Sequence, residues 1–142
     1  ANHLLSGGFD FLWRRKAARL IAADAPRCVL DLATGSGDLA RSLGRACPRA
    51  VIIGADFCLP MLKVAQPKAI HHLVQADGLH LQFRDASFDA LTVASCCAIW
   101  PTGMKRFGKW LACCALAVCC WCWTFRYRNL GLGEQGVNVR DA

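Results

Sequence analysis

Three aspartates and two glycines carry the chemistry that this sequence offers. Asp31, Asp56 and Asp77 each stand at the end of an apolar run: Cys28-Val29-Leu30-Asp31, Val51-Ile52-Ile53-Gly54-Ala55-Asp56 and His72-Leu73-Val74-Gln75-Ala76-Asp77. The first run continues through Ala33 into Gly35-Ser36-Gly37. Carboxylates accept hydrogen bonds at several lone-pair sites and donate none, which suits a ligand presenting amino and hydroxyl groups. Glycines let backbone N–H groups approach such a ligand, and a helix starting just after them offers unpaired donors. Taken alone, each Asp reads as a turn or cap residue. Together with Gly35 and Gly37 they fit one ligand having an amino group, a ribose and an adenine. Asp31 is then expected to orient the loop and the amino end, Asp56 to accept from the ribose hydroxyls, and Asp77 to accept from the adenine amino group.

A dinucleotide site competes with this reading. Gly35-Ser36-Gly37-Asp38-Leu39-Ala40 satisfies G-x-G-x-x-A, and Asp56 follows at about the ~20-residue spacing of a ribose-binding acid. Asp31, Asp38 and Asp77 argue against it, because a pyrophosphate would be repelled by acids that a positively charged sulfonium tolerates.

The elements that must hold these residues alternate along the chain. Apolar residues at helical spacing (Phe9, Leu12, Trp13, Ala17, Leu20, Ile21) predict an amphipathic helix over Phe9–Ala23, with Arg14, Arg15, Lys16 and Arg19 interleaved and Pro26 beyond its end. Strands are predicted over Cys28–Ala33, Val51–Asp56, His72–Asp77 and Phe88–Ala94, with helices over Gly37–Ala46 and Leu59–Ala65 between them. Strands alternating with helices imply an α/β fold with a doubly wound, mainly parallel sheet, whose ligand lies at the carboxyl ends of the strands.

Length and composition bound the rest. A chain of 142 residues makes one domain at most, and Ala1 in place of Met is expected of a fragment or processed product. The net charge of +7 would ordinarily raise nucleic acid or an anionic membrane as partner, yet the charge is thinly spread. No nucleic-acid partner is expected. Seven of the ten cysteines and four of the five tryptophans follow Ala94, a shift abrupt enough to mark a boundary. Cys28, Cys47 and Cys58 are expected to be buried thiols of a cytoplasmic protein. Phe9–Arg19 lacks the continuous apolar core of a secretory signal.

At V-L-D-L-A-T-G-S-G-D-L, G-A-D-F-C-L-P-M-L and V-Q-A-D-G-L-H-L-Q-F-R-D-A-S-F-D-A-L-T-V the chain resembles the class I S-adenosylmethionine-dependent methyltransferases. Within them it is most similar to the UbiE family, which methylates demethylmenaquinol or a polyprenyl benzoquinol in quinone biosynthesis. N-H-L-L-S-G-G-F-D-F-L-W-R-R at Asn2–Arg15 is similar to that family's amino-terminal signature. The resemblance implies a Rossmann-like fold, S-adenosylmethionine as cofactor, and contacts to it from Ser36, Asp56, Asp77 and Gly78. Asp31, Ala33, Gly35, Gly37 and Phe57 complete the expected cofactor-binding set. A lipid-like quinol substrate and peripheral contact with the inner membrane follow from the same resemblance. It names no catalytic residue; His3, His71, His72 and His80 read as surface imidazoles. No metal site is expected. The alternatives are an NAD(P)-binding oxidoreductase and a non-catalytic, membrane-associated fragment using residues 107–125.

The resemblance covers residues 2–94, giving one N-terminal part of a methyltransferase domain (1–94) and a Cys/Trp-rich tail (95–142). The apolar run Trp110–Trp123 is fourteen residues long, short of the ~20 that a membrane helix needs. An irregular or helical tail is expected. Its letters have another explanation in the genetic code. Cys and Trp codons begin with TG, and a one-base shift turns them into Leu, Met or Val codons. Trp121-Cys122-Trp123-Thr124 read so must give V-L-D, and Ala112–Phe125 permits V-L-R-P-G-G-x-L-L-V-L-D-F, with x one open position. The tail is therefore read as translated one base out of frame from a gene of this family. As written, the polypeptide lacks the later strands in recognisable form and is expected to bind cofactor weakly or not at all.

Overall fold

Cys28–Leu32 forms strand β1, and it pairs in parallel on both sides: with β2 (Val51–Asp56) and with β4 (Ala90–Val93). A strand covered on two edges and two faces needs apolar residues at successive positions, which is why Val29, Leu30 and Leu32 are all buried. Strand β3 (His72–Gln75) adds to the far edge of β2, again in parallel. The computed structural model describes residues 9–68, 70–78 and 80–93, and the backbone of 116–119 and 125–128.

Helix α1 (Phe9–Ala22) and helix α2 (Asp38–Ala46) cover one face of the sheet. Ala17, Ala18 and Ile21 of α1 and Leu39, Ala40 and Leu43 of α2 pack with Val29, Ile52 and Ala90. Fully burying a side chain such as Ile21 or Leu43 contributes about 1.5–3 kcal/mol, so this interface holds the two helices despite the modest length of α2. Helix α3 (Leu59–Ala65) runs into a 3-10 helix, Gln66–Lys68, and Ile70 just beyond packs against the same cluster. On the opposite face Leu30, Leu32, Leu91 and Val93 meet Leu81 and Phe88, where Phe83 stands edge-on to Phe88 at 5.0 Å. The entry to β1 is pinned by Asp89, whose Oδ2 accepts from the backbone N–H groups of Arg27 (2.8 Å) and Cys28 (2.9 Å).

The predicted elements up to residue 94 are found, Val51–Asp56 and Leu59–Ala65 with the same bounds and the others with ends moved by no more than two residues. Beyond residue 94 the structure departs from the expected irregular or helical tail. Two four-residue strands, β5 (Leu116–Cys119) and β6 (Phe125–Arg128), extend the sheet to the order β3-β2-β1-β4-β5-β6, with β5 parallel to β4 and β6 antiparallel to β5. The free edge of β4 offers a row of unpaired backbone groups, and an apolar segment such as Leu-Ala-Val-Cys can satisfy them whatever its origin. The remainder of the stretch 95–142 lies outside the described residues. Cys58 corrects another expectation: it is exposed, because it caps α3 at the surface, whereas Cys47 is buried and Cys28 half-buried. Burial pushes the thiols of Cys47 and Cys28 up, with Asp89 adding to the effect at Cys28.

Candidate functional site

The strand order places the reversal of the sheet between β1 and β4, with β2 and β3 to one side. Ligands of such sheets bind outside the carboxyl ends of the strands at that reversal. Asp31, Asp56 and Asp77 lie at or just after the carboxyl ends of β1, β2 and β3, and Ala33 to Gly37 form the loop from β1 to α2.

That loop is shaped by its backbone. Ala33, Gly35 and Gly37 all have positive φ, at 55°, 56° and 78°, a region that costs an L-residue about 1–2 kcal/mol. Gly37 has a second reason to be glycine. A Cβ there would stand 2.5 Å from Ile70 Cδ1 and 2.9 Å from the Cβ of Ala65, whereas one at Gly35 would meet only Met61 Cε at 3.7 Å. The loop is closed by Gly37 N–H donating to the Thr34 carbonyl (2.9 Å) and tied to β2 by Thr34 N–H donating to the Ala55 carbonyl (3.0 Å).

Asp31 is fully buried and makes its contribution through neighbours. Thr34 Oγ1 donates to its Oδ2 at 2.7 Å and Thr92 Oγ1 to its Oδ1 at 2.6 Å. Burial pushes its carboxyl up to about 6, against the hydrogen bonds from the two threonines. Asp31 thus holds Thr34 of the loop, and any effect on a ligand passes through that loop.

Asp56 is the member that faces the crevice. Its Oδ2 accepts from Gly35 N–H at 2.7 Å and its Oδ1 from Cys58 N–H at 2.8 Å, so one carboxylate spans the glycine loop and the start of α3. Each oxygen keeps a further acceptor site, enough for a pair of vicinal hydroxyls. Its own carbonyl accepts from Ala76 N–H at 3.0 Å, which brings Asp77 and Gly78 alongside. The Asp77 carboxylate meets His80 Nδ1 at 3.0 Å. Phe57, next to Asp56, is 72% exposed at the rim. All nine expected positions are therefore brought to one end of the sheet, with Ser36 half-buried in the loop and turned to Asp38.

Asp38, read from the sequence as an acid that would repel a pyrophosphate, has its charge compensated by neighbours. Ser36 Oγ donates to it at 2.9 Å, Lys68 Nζ contacts its Oδ1 at 2.5 Å, and Arg14 Nη1 stands 3.9 Å away. Burial opposes its ionised form, but the hydrogen bonds from Lys68 and Ser36 and the charges of Lys68 and Arg14 outweigh this and hold the carboxyl below its usual value. The repulsion a pyrophosphate would feel here is correspondingly reduced. Sequence reasoning missed Lys68 and Arg14, since 30 and 24 residues separate them from Asp38 and nothing local signals the pairing.

Residues 29–114 match the family model described as "Methyltransferase domain". The chain belongs to this methyltransferase family. The match runs past Ser95, where the composition breaks, to residue 114. Demethylmenaquinone methyltransferase of Thermus thermophilus is 48% identical over 98 residues, which is 66% of this chain and 44% of that protein. The ubiquinone/menaquinone biosynthesis C-methyltransferase UbiE of Bdellovibrio bacteriovorus is 39% identical over 98 residues, 66% of this chain and 42% of that protein. These relatives bear out the UbiE-family resemblance, and the chain spans less than half the length of either. Among solved structures, an S-adenosylmethionine-dependent methyltransferase from Aquifex aeolicus superposes with a TM-score of 0.56 at 16% identity over 66% of this chain and 54% of that one. Another from Mesorhizobium loti gives 0.57 at 20% identity, over 66% and 45%. These distant methyltransferases share the fold, and with the closer relatives they disfavour the dinucleotide oxidoreductase reading.

Proposed function

We propose that residues 9–93 are the cofactor-binding part of an S-adenosylmethionine-dependent C-methyltransferase whose substrate is a lipid-like quinol of quinone biosynthesis, demethylmenaquinol or a polyprenyl benzoquinol. The observation that carries it is Asp56: a single carboxylate bridging Gly35 N–H and Cys58 N–H, with acceptor sites left over at the mouth of the β1–α2 loop. The donor set suits this cofactor: carboxylates for its hydroxyl and amino groups, and a loop whose backbone bends at Gly35 and Gly37. Names of the relatives supply the substrate class.

When bound, S-adenosylmethionine supplies a methyl group already activated by its sulfonium. The protein's own task is then to hold the two reactants in line, which lowers the barrier through positioning. Asp56 would accept the ribose hydroxyls, Asp77 and Gly78 would flank the adenine with Phe57, and the Gly35-Ser36-Gly37 loop, braced from beneath by Asp31 and Thr34, would carry the amino-acid end. No described side chain is assigned as the base that removes a quinol hydroxyl proton.

The tail belongs to the same proposal: residues from about Ser95 are read one base out of frame, so this polypeptide lacks part of the pocket. The test is calorimetric titration of S-adenosylmethionine into two polypeptides that share residues 1–94, one continuing as here and one in the neighbouring frame. Stoichiometric binding and methylation of demethylmenaquinol are expected of the second, and weak or no binding of the first. Binding of a nicotinamide dinucleotide in preference to S-adenosylhomocysteine would overturn the reading.

A further inference from the structure

The outward face of α1 is built unlike that of an ordinary surface helix. Phe11 and Leu12 are each 60% exposed, and Arg15, Lys16 and Arg19 beside them are exposed as well. At 100° per residue these five positions fall within an arc of about 140°, opposite the buried Ala17 and Ile21, with the buried Ala18 flanking its Phe11 edge. The arc has an order along the axis: two large apolar side chains in the first turn, then three cations in the turns below. No acid lies among them. The adjacent helix α2 continues the same sign outward with the exposed Arg41 and Arg45, while the acid of its first turn, Asp38, is already matched by Lys68 and Arg14.

From this arrangement we infer that the exposed face of α1 docks on an anionic lipid bilayer, with Phe11 and Leu12 entering the interface and Arg15, Lys16 and Arg19 meeting lipid phosphates. The apolar pair distinguishes a membrane from other polyanions: two adjacent large apolar side chains held in water lose solvent-exposed area only against an apolar partner, and long basic side chains next to them can keep their charges at headgroup level. The geometry also orients the molecule. Arg14, one turn after Phe11, lies beside Asp38 at the start of α2, so the first turn of α1 is at the cofactor end of the sheet. Docking there sets the mouth of the crevice at the lipid surface. This use rests on the quinol reading above, but the flotation that tests docking needs neither quinol nor cofactor.

The experiment is flotation of the full 142-residue chain with vesicles of phosphatidylcholine alone and of phosphatidylcholine with phosphatidylglycerol, so that aggregates stay behind in the dense layer. Binding is expected only to the anionic vesicles, falling with added salt. The pair Phe11→Ser/Leu12→Ser and the triple Arg15→Glu/Lys16→Glu/Arg19→Glu should each lower the partition coefficient roughly tenfold or more. Arg84→Glu, on the opposite side of the sheet, should leave it unchanged. Urea midpoints equal to that of the parent chain would show that the variants fold, as expected for exposed positions. Equal binding to both vesicle types, or anionic binding that neither α1 variant weakens, would overturn the inference. So would binding of a DNA duplex that outcompetes the vesicles and is indifferent to Phe11→Ser/Leu12→Ser. Retained methylation of a detergent-solubilised quinol by the α1 variants in the neighbouring-frame protein would separate this result from the proposed function.

Discussion

Thr92 Oγ1 donates to Asp31 Oδ1 at 2.6 Å across the β1–β4 pair, at the register position where the two residues stand opposite one another. The bond stitches the strands at the point where the sheet reverses and fixes one oxygen of a carboxylate that has no access to water. Thr92→Val keeps the shape and removes the donor. With the acid left short of a partner in a buried site, a loss of about 1–3 kcal/mol is expected. Urea denaturation of the variant against the parent chain measures it, and an unchanged midpoint would mean that Asp31 is solvated after all.

The same burial gives the protein a pH dependence with an unusual sign for an aspartate. The folded carboxyl sits at about 6 and its ordinary value is 3.8. The folded state therefore holds the proton more tightly than the unfolded chain does. Asp31's contribution to stability is full below about pH 4 and is lost as pH rises through about 6, worth roughly 3 kcal/mol across that window. Asp38, held below its usual value by Lys68 and Ser36, acts in the opposite direction: its contribution is present above the unfolded value and lost as the solution is acidified below it. The parent is expected to gain stability in urea titrations as pH falls from 6.5 to 4.5, and Asp31→Asn should flatten that rise. A variant retaining the full slope would assign it to another group.

Gly35 and Gly37 should respond unequally to alanine. Both sit at positive φ, so each substitution carries the left-handed penalty of about 1–2 kcal/mol. At Gly37 the new methyl group also enters the space of Ile70 and Ala65, and overpacking typically adds about 1–3 kcal/mol. Gly37→Ala is thus expected to be the more destabilising of the two by at least about 1 kcal/mol in chemical denaturation. Equal losses would show that Ile70 yields freely.

The half of the fold around this loop was readable because each signal was local. Runs such as Val51–Asp56 carry strand periodicity and their own terminating acid, and Gly35-Ser36-Gly37 announces the turn that follows β1. Asp31 was legible as a loop-orienting acid, but its partner Thr92 was not, since a register 61 residues apart is set only by sheet pairing. Lys68 and Arg14 at Asp38 were hidden for the same reason. Strand β5 was missed because Leu116–Cys119 sits in a Cys/Trp-rich stretch that has no strand periodicity of its own, and an open β4 edge recruits it, whereas Phe125-Arg126-Tyr127-Arg128 does alternate apolar and basic residues and was passed over as part of the same tail.

Lys68 is expected to couple the helical layer to the cofactor loop. Its ammonium meets Asp38 in the first turn of α2, and Ser36 of the loop donates to the same carboxylate. Lys68→Met removes the charge and keeps the aliphatic stem. The half-buried Asp38 then loses its principal compensation, and its carboxyl should titrate at higher pH. The expected stability loss is about 1 kcal/mol, discounted for a side chain that is still 25% exposed. Carboxyl titration followed by NMR checks the direction, and an unmoved Asp38 would mean that Ser36 and Arg14 suffice.

The DNA across the codons for Ala94 and Ser95 tests the reading of the tail. Four consecutive residues, Trp121-Cys122-Trp123-Thr124, leave no freedom in the shifted frame and must yield V-L-D, while Leu111, Ala112, Cys114, Ala115, Leu116 and Ala117 must each use particular codons for A-R-V-L-R-P-G-G to precede it. The expected result is a single inserted or deleted base near that junction, with the neighbouring frame open and encoding L-R-P-G-G followed by L-L-V-L-D. An alternative frame broken by stop codons, or one lacking L-R-P-G-G, would sink the proposal and leave Leu116–Cys119 as a strand encoded in its own right. With the proposal upheld, the excess of cysteine and tryptophan after Ala94 has no selected role, and the basic character that matters is that of residues 9–68, where α1 and α2 carry it outward.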